Sequence, residues 1–243
     1  MEQIGLNGEH WYPLARFGIQ NQFFAFNKET LINTWIVLLI LTFLCLIIRF
    51  FITKKTSVIR YITIFSLNSF IELTEQTFGT FIYRHFALIS ALFIFILACN
   101  YISILPWAEE PTRDLNTTLA LGIVAFLYKE RETIRARGFW GYIKEFFTPF
   151  FVMLPLNIIS HLSKVISISF RLFGNIFGGS IITHIYHSAL SGSVLFQTIG
   201  IISGLNLTVL VFFGLFEGFI QAFVFAMLTL TYLSIAIQPI DEE

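Results

Sequence analysis

Apolar residues run almost unbroken from Leu31 to Ile52, and the basic residues Lys54, Lys55 and Arg60 follow at once. About 20 apolar residues cover the hydrocarbon core of a bilayer, so this pattern predicts a spanning helix with a basic flank. Residues 58–83 read differently. Asn68, Glu72, Glu75 and Gln76 interleave with Phe and Ile there, as expected of an amphipathic helix lying at the interface. A second span is predicted from about His85 to Leu105, ending at Pro106 and Trp107, where an indole can anchor among the headgroups. After a mainly acidic loop from Glu109 to Asp114, a shorter apolar stretch over 115–130 predicts a third span. It runs into a basic loop carrying Lys129, Arg131, Arg135, Arg137 and Lys144. Two long apolar segments close the chain, 146–188 and 198–238, separated by a polar turn around Ser191, Gly192 and Ser193. Each is longer than a bilayer requires, so tilt or a break is expected.

Composition agrees with this patterning. Of 243 residues, 56% are apolar and only 12% charged, too few charges to coat a soluble globule of this size. The expected fold class is therefore an all-α integral membrane protein: residues 1–30 form an N-terminal extramembrane segment and 31–243 a single membrane domain. The first residues lack the basic start and short apolar core of a secretory signal. Cys45 and Cys99 each sit in an apolar run and read as small buried hydrophobes, not as ligands or half of a disulfide. Net charge near zero gives no sign of a nucleic-acid partner. No Gly-x-x-x-x-Gly-Lys-Ser/Thr run is present to hold a nucleotide, and no cofactor or metal is implied. Assigning loops alternately to the two sides collects Arg49, Lys54, Lys55, Arg60, Arg84 and the five basic residues of 129–144 together. Arg16, Lys28 and Arg113 fall opposite. By the positive-inside rule the N-terminus lies outside and the C-terminus inside.

The segment from Ser160 to His184 carries the candidate chemistry. Ser160, Lys164, Ser167, Arg171, Asn175 and Gly178 step by three or four, so one helix face bears a polar and small-residue stripe. Such a stripe lets water or another helix approach closely. Arg171 lies deep in the apolar run, where a central charge costs about 2.5–3.5 kcal/mol on insertion scales, and about 17 residues separate it from the polar turn. A guanidinium keeps its proton under all accessible conditions, so it can stand as a permanent cation beside a carboxylate that cycles between charged and neutral. The last segment supplies Gly214, Glu217, Gly218 and Gln221. An antiparallel register setting Arg171 opposite Gln221 would put Glu217 across from Asn175, so that the two rare polar clusters solvate each other. His184 and His187 sit one turn apart near the polar turn, where interfacial exposure and a role in proton entry are both open. His161 lies about 15 Å from Arg171 along a straight helix.

At Arg171-Leu172-Phe173-Gly174-Asn175 the sequence resembles subunit a of the F-type ATP synthases. The likeness extends to Pro111-Thr112-Arg113-Asp114-Leu115-Asn116-Thr117-Thr118 and to Gln221-Ala222-Phe223-Val224-Phe225. It covers about residues 86–238. The resemblance implies one N-terminal spanning helix, an interfacial helix, a helical hairpin and two long tilted helices packing on the ring of c subunits. It further implies that Arg171 faces the ring's essential carboxylates, with Asn175 and Gln221 beside it. The chain departs from the family pattern in two places. Ser180 stands where many relatives have an acid, and Gly214 where many have an acid or histidine, so that Glu217 looks like a relocated acid. Relatives can also carry glutamate at the place of Asn157, and His161 on the same face would take over.

The implied function is that of the membrane stator subunit. Protons enter from outside near Asn175, Glu217 and His184, protonate a ring carboxylate, and leave after rotation past His161, while Arg171 blocks a direct leak; Gln221, Lys164 and Ser180 also belong to the implied proton path. The subunit would not be catalytic alone. Its implied partners are the c ring, the peripheral-stalk b subunits and the rest of the complex, in a bacterial inner membrane or an organellar energy-transducing membrane. A sodium-translocating version of the same subunit is an alternative. A secondary ion transporter is a weaker one, because no inverted internal repeat or pair of broken helices is evident.

Overall fold

In the computed structural model, residues 10–11, 26–52, 58–105, 108–148, 150–191, 198 and 204–237 are described. Most of the N-terminal segment, the Lys54–Lys55 flank, the Pro106–Trp107 boundary and the Gly192–Ser193 turn lie outside them. The architecture is helical, as expected where lipid offers no partner to backbone N–H and C=O groups. Apart from helices, the described residues hold one two-residue antiparallel pairing, β1 (His10–Trp11) with β2 (Phe26–Asn27).

Helix α1 (Lys28–Phe51) starts at Asn27, whose side chain accepts the Glu29 N–H. Helix α2 (Val58–Phe78) buries only Thr74 and ends at Gly79, where φ of 72° requires glycine. Helix α3 (Tyr83–Tyr101) tightens into a 3-10 turn over Ile102–Ile104. Helix α4 (Leu115–Phe147) is capped by Asp114, whose Oδ1 accepts the Asn116 N–H. Helix α5 (Leu154–Ser191) has 38 residues, roughly 57 Å at 1.5 Å per residue, well beyond a bilayer core of about 30 Å. Helix α6 (Leu205–Val209) passes through a π-helical segment, Leu210–Phe216, into α7 (Glu217–Ile237). Among the described residues four helical stretches are long and apolar enough to cross a membrane: Lys28–Phe51, Tyr83–Ile104, Phe151–Leu190 and Leu205–Ile237.

The basic loop expected over 129–144 is instead helical. Helix α4 continues to Phe147 with a kink at Gly138, where φ is 74°. Lys129, Glu130, Glu132 and Thr133 are buried there. Charges tolerate burial when they pair, and these do: Lys129 Nζ lies 2.6 Å from Glu130 Oε1, and Arg135 reaches Glu132 at 2.9 Å.

The core is set by helical spacing of apolar residues. Ile89, Leu92, Phe93 and Ile96 of α3 meet Ala222, Phe225, Ala226 and Leu230 of α7, with Ile168, Leu172 and Ile176 of α5 completing the cluster. Packing is most extensive between α4 and α5 and between α3 and α7. At the α4–α5 crossing a Cβ on Gly122 would lie 2.1 Å from Ser169 Oγ, so any larger residue would have to displace that hydroxyl. Cys99 is fully buried beside Val37 and Ile102. Cys45, expected to be buried, is exposed on α1, whose Trp35, Leu39, Phe43 and Phe50 are also exposed, as a lipid-facing helix requires.

Side-chain bonds define the two ends of the bundle. At one, Thr30 Oγ1 donates to Asp114 Oδ2 at 3.2 Å and Asn33 Nδ2 to the Glu109 carbonyl at 3.0 Å. At the other, His85 and Tyr128 hydrogen-bond at 2.9 Å, and Ser234 Oγ donates to the Thr77 carbonyl.

Candidate functional site

Helix α5 buries Ile168, Ser169, Leu172 and Ile176 and turns Ser160, Lys164, Ser167 and Arg171 outward, leaving Asn175 and Gly178 half-buried. The Ser160, Lys164, Ser167 and Arg171 part of the polar stripe is therefore largely exposed on the outside of the chain. Arg171 nevertheless shares a crevice with Gln221, lined also by Ile168, Leu172, Val224, Phe225 and Leu228 and too tight to hold water. Gln221 itself is buried. The structure thus brings Arg171 and Gln221 together.

The Glu217 carboxylate lies against Gly179. A Cβ on Gly179 would sit 2.9 Å from Glu217 Oε2 and 3.2 Å from the Phe213 ring, so the carboxylate is at Gly179, one turn beyond Asn175. The reason is side-chain direction: helical side chains lean toward their helix's N-terminus, which for α7 carries the carboxylate past Asn175 toward the Asp114 end. Glu217 Oε2 is enclosed without a hydrogen-bond partner among the described residues.

Beyond Gly179 opens a cavity of about 590 Å³. Ser180, Thr183, His184 and His187 of α5 line it, faced by Asn100, Ser103, Glu110 and Arg113, with Val209, Leu210, Phe213 and Gly214 closing the α6–α7 side. Ser180 Oγ donates to the Phe177 carbonyl at 2.9 Å. Both His184 and His187 are exposed on this wall. The cavity belongs to the Asp114 end and stops short of Arg171.

Toward the Tyr128 end, Lys164 Nζ sits 5.8 Å from the Tyr232 ring centroid. Lys129, Lys164, Ile168 and Tyr232 are among the walls of a pocket of about 30 Å³. Ile168 also borders the Arg171 crevice, so that side chain is common to both walls. One turn before Lys164, His161 Nδ1 lies 3.1 Å from Glu130 Oε1 and 3.4 Å from Lys129 Nζ, with the Phe146 ring against its imidazole. The Tyr142 hydroxyl faces the same carboxylate, and burial together with that contact pushes its pKa up. Asn157 does not face this cluster. Its amide donates to the Phe146 carbonyl at 2.9 Å and to the Thr148 carbonyl at 3.3 Å, closing the end of α4.

Two groups went unrecognised in the sequence. Glu130 was hidden in what read as a basic loop, although the alternating signs of Lys129-Glu130-Arg131-Glu132 are themselves a mark of a paired helix face. Asn100, inside an apolar run, is buried and donates to the Gly218 carbonyl at 2.8 Å while its Oδ1 accepts from Thr112 Oγ1 at 2.7 Å. This three-point tie fixes α7 one turn from Gln221. Among the described residues no group of three or more His, Cys, Asp or Glu is placed to hold a metal.

Residues 31–234 match the family described as ATP synthase A chain. The chain is 35% identical over 210 residues to ATP synthase subunit a of Moorella thermoacetica, covering 85% of this chain and 89% of that protein. It is 33% identical over 229 residues to ATP synthase subunit a 2 of a Picosynechococcus species, covering 89% and 88%. It is 32% identical over 225 residues to a Propionigenium modestum protein named ATP synthase subunit a, sodium ion specific, covering 84% and 72%.

Proposed function

The chain belongs to the ATP synthase A chain family, and on that premise we propose that it is the stator of a rotary membrane sector, with two proton half-channels that meet at Arg171. As a family member it is a multi-pass membrane component of the ATP synthase complex, serves ATP synthesis and ion transport, and is not catalytic alone.

One observation carries the finer reading: a cavity of about 590 Å³ lies toward one end of the bundle and a pocket of about 30 Å³ toward the other, with the Arg171–Gln221 crevice, too tight to hold water, between them along α5. The larger, with Ser180, His184 and His187 on its wall, serves as the outside half-channel, and Glu217, packed against the Gly179 that lines it, takes the proton onward. The pocket of Lys129 and Lys164, with His161 beyond it, serves the cytoplasmic side. The exposed stripe of Ser160, Lys164, Ser167 and Arg171 supports a rotor partner, since a guanidinium presented to bare lipid would be costly and small residues admit a second helix. That partner is the c ring, whose carboxylates would pass Arg171 in turn, take a proton on the outside cavity's side, cross the lipid neutral and release it toward His161. Arg171 stays charged throughout and denies protons a direct path. The b subunits complete the stator. The basic residues near the Tyr128 end support an inside C-terminus, in a bacterial inner membrane.

Single cysteines test the two half-channels in the assembled complex. Placed at Ser180 and Thr183 they should react with a small membrane-impermeant thiol reagent from outside only, and at Ser160 and Lys164 from inside only. A position reactive from both sides would contradict separate half-channels. Sodium is the second reading, favoured by the name of the Propionigenium relative. ATP-driven acidification of vesicles without sodium would exclude it as the obligatory ion.

A further inference from the structure

The buried cluster at the Tyr128 end contains a carboxylate that the mechanism above does not use. Glu130 is 8% exposed, and two donors converge on its Oε1: Lys129 Nζ at 2.6 Å and His161 Nδ1 at 3.1 Å. The 3.4 Å between Nζ and Nδ1 follows from sharing that one acceptor. If Nδ1 were bare, its lone pair would face a carboxylate oxygen and repel it. With Nδ1 protonated, both donors point at the anion. An ammonium has only donors, so Lys129 cannot stabilise Nδ1–H itself, and the carboxylate must.

We propose that Glu130 is the positioning residue of the cytoplasmic half-channel: it holds His161 as the Nδ1–H tautomer, so that protons enter and leave the imidazole at Nε2. A proton arriving from the Arg171 side binds the Nε2 lone pair and gives imidazolium, its charge offset by Glu130. The proton then leaves Nε2 to cytoplasmic water, and Nδ1–H is never broken. This is the logic by which a second group fixes which nitrogen of a histidine exchanges. Lys129 opposes it in sign, holding Glu130 ionised while disfavouring imidazolium. Tyr142 faces the carboxylate from the same helix, with the Arg137–Glu145 pair beside it. On α5 the next charged group is Lys164, turned over the Tyr232 ring of α7. The Phe146 ring keeps the imidazole plane in place. None of the neighbours except Glu130 can accept from Nδ1 at the observed distances.

The inference rests on His161 being the group that exchanges protons, and the test separates the two. Proton flux through the assembled complex in vesicles is measured against pH on the cytoplasmic side. Removing an opposite charge this close moves a titration by roughly one to three units. Glu130→Gln should therefore shift the midpoint of the cytoplasmic limb down by that order. Lys129→Gln should shift it up, and where Glu130→Gln alone does not assemble, adding it to Lys129→Gln, which leaves no unpaired buried charge, should bring the midpoint back down. His161→Gln should abolish the limb. Midpoints in both charge variants that coincide with wild type, with His161→Gln slow, would overturn the role of Glu130 and leave the half-channel reading standing. Normal flux and profile in His161→Gln would overturn both.

Discussion

Asn100→Leu keeps the volume and branching of the side chain and removes its hydrogen bonds. The wild-type amide is 2% exposed, donates to the Gly218 carbonyl at 2.8 Å and accepts from Thr112 Oγ1 at 2.7 Å. The Gly218 carbonyl keeps its helical partner, so the loss there is an ordinary net hydrogen bond of about 1 kcal/mol. Thr112 is 0% exposed, and its hydroxyl would be left without this acceptor, at about 1–3 kcal/mol. The sum is about 2–4 kcal/mol, large against the marginal stability of most folds. Tight packing adds to it, since a Cβ on Gly218 would already lie 3.0 Å from Asn100 Cβ. The assay is thermal dissociation of the purified complex, with chain unfolding followed in parallel. Thr112→Val tests the mechanism. Added to Asn100→Leu it removes the orphaned hydroxyl, so the double variant should recover about 1–2 kcal/mol of the loss. A single variant within about 0.5 kcal/mol of wild type, or a strictly additive cycle, would refute the claim that this network fixes α7.

Two further outcomes follow from the same geometry. Glu217→Gln should slow proton entry from the outside while leaving stability unchanged or raised, because a carboxylate with an enclosed unpartnered oxygen becomes a neutral amide; flux and melting of the complex check both. Gly122→Ala should lower stability by about 1–3 kcal/mol through overpacking at Ser169, and Ser169→Ala should restore most of it, since the remaining contacts at 3.4 Å are ordinary; unchanged melting in Gly122→Ala would show that the crossing yields.

Much of the fold is legible because lipid makes hydropathy decisive. The apolar runs beginning at Leu31 and His85 became α1 and α3, and the two longest became α5 and the α6–α7 rod. Arg171 and Gln221 could be paired because each is among the few polar residues in its run, and two such groups solvate one another more cheaply than either is solvated alone. Counting gives only the Cα level of Glu217; that its carboxylate lies against Gly179 comes from the side chain's lean along the axis toward its own N-terminus. The segment after Tyr128 misled for a related reason. Charge density there suggested solvent, yet Lys129, Glu130 and Glu132 are held in by partners that a one-dimensional reading cannot bring together. The stripe was visible as a stripe, but that it turns to the outside of the chain depends on the α4–α5 crossing at Gly122, a tertiary contact.

The central claim is that Arg171 is the fixed cation separating two proton paths. It is tested most directly by Arg171→Ala in the complex reconstituted into vesicles, with ATP synthesis measured under an imposed proton gradient. Arg171 is exposed on the chain and is not part of the core that joins α3, α5 and α7, so removing it should leave the complex assembled. Normal amounts of assembled complex with no gradient-driven synthesis are the expected result. Synthesis near the wild-type rate in that assembled complex would contradict it.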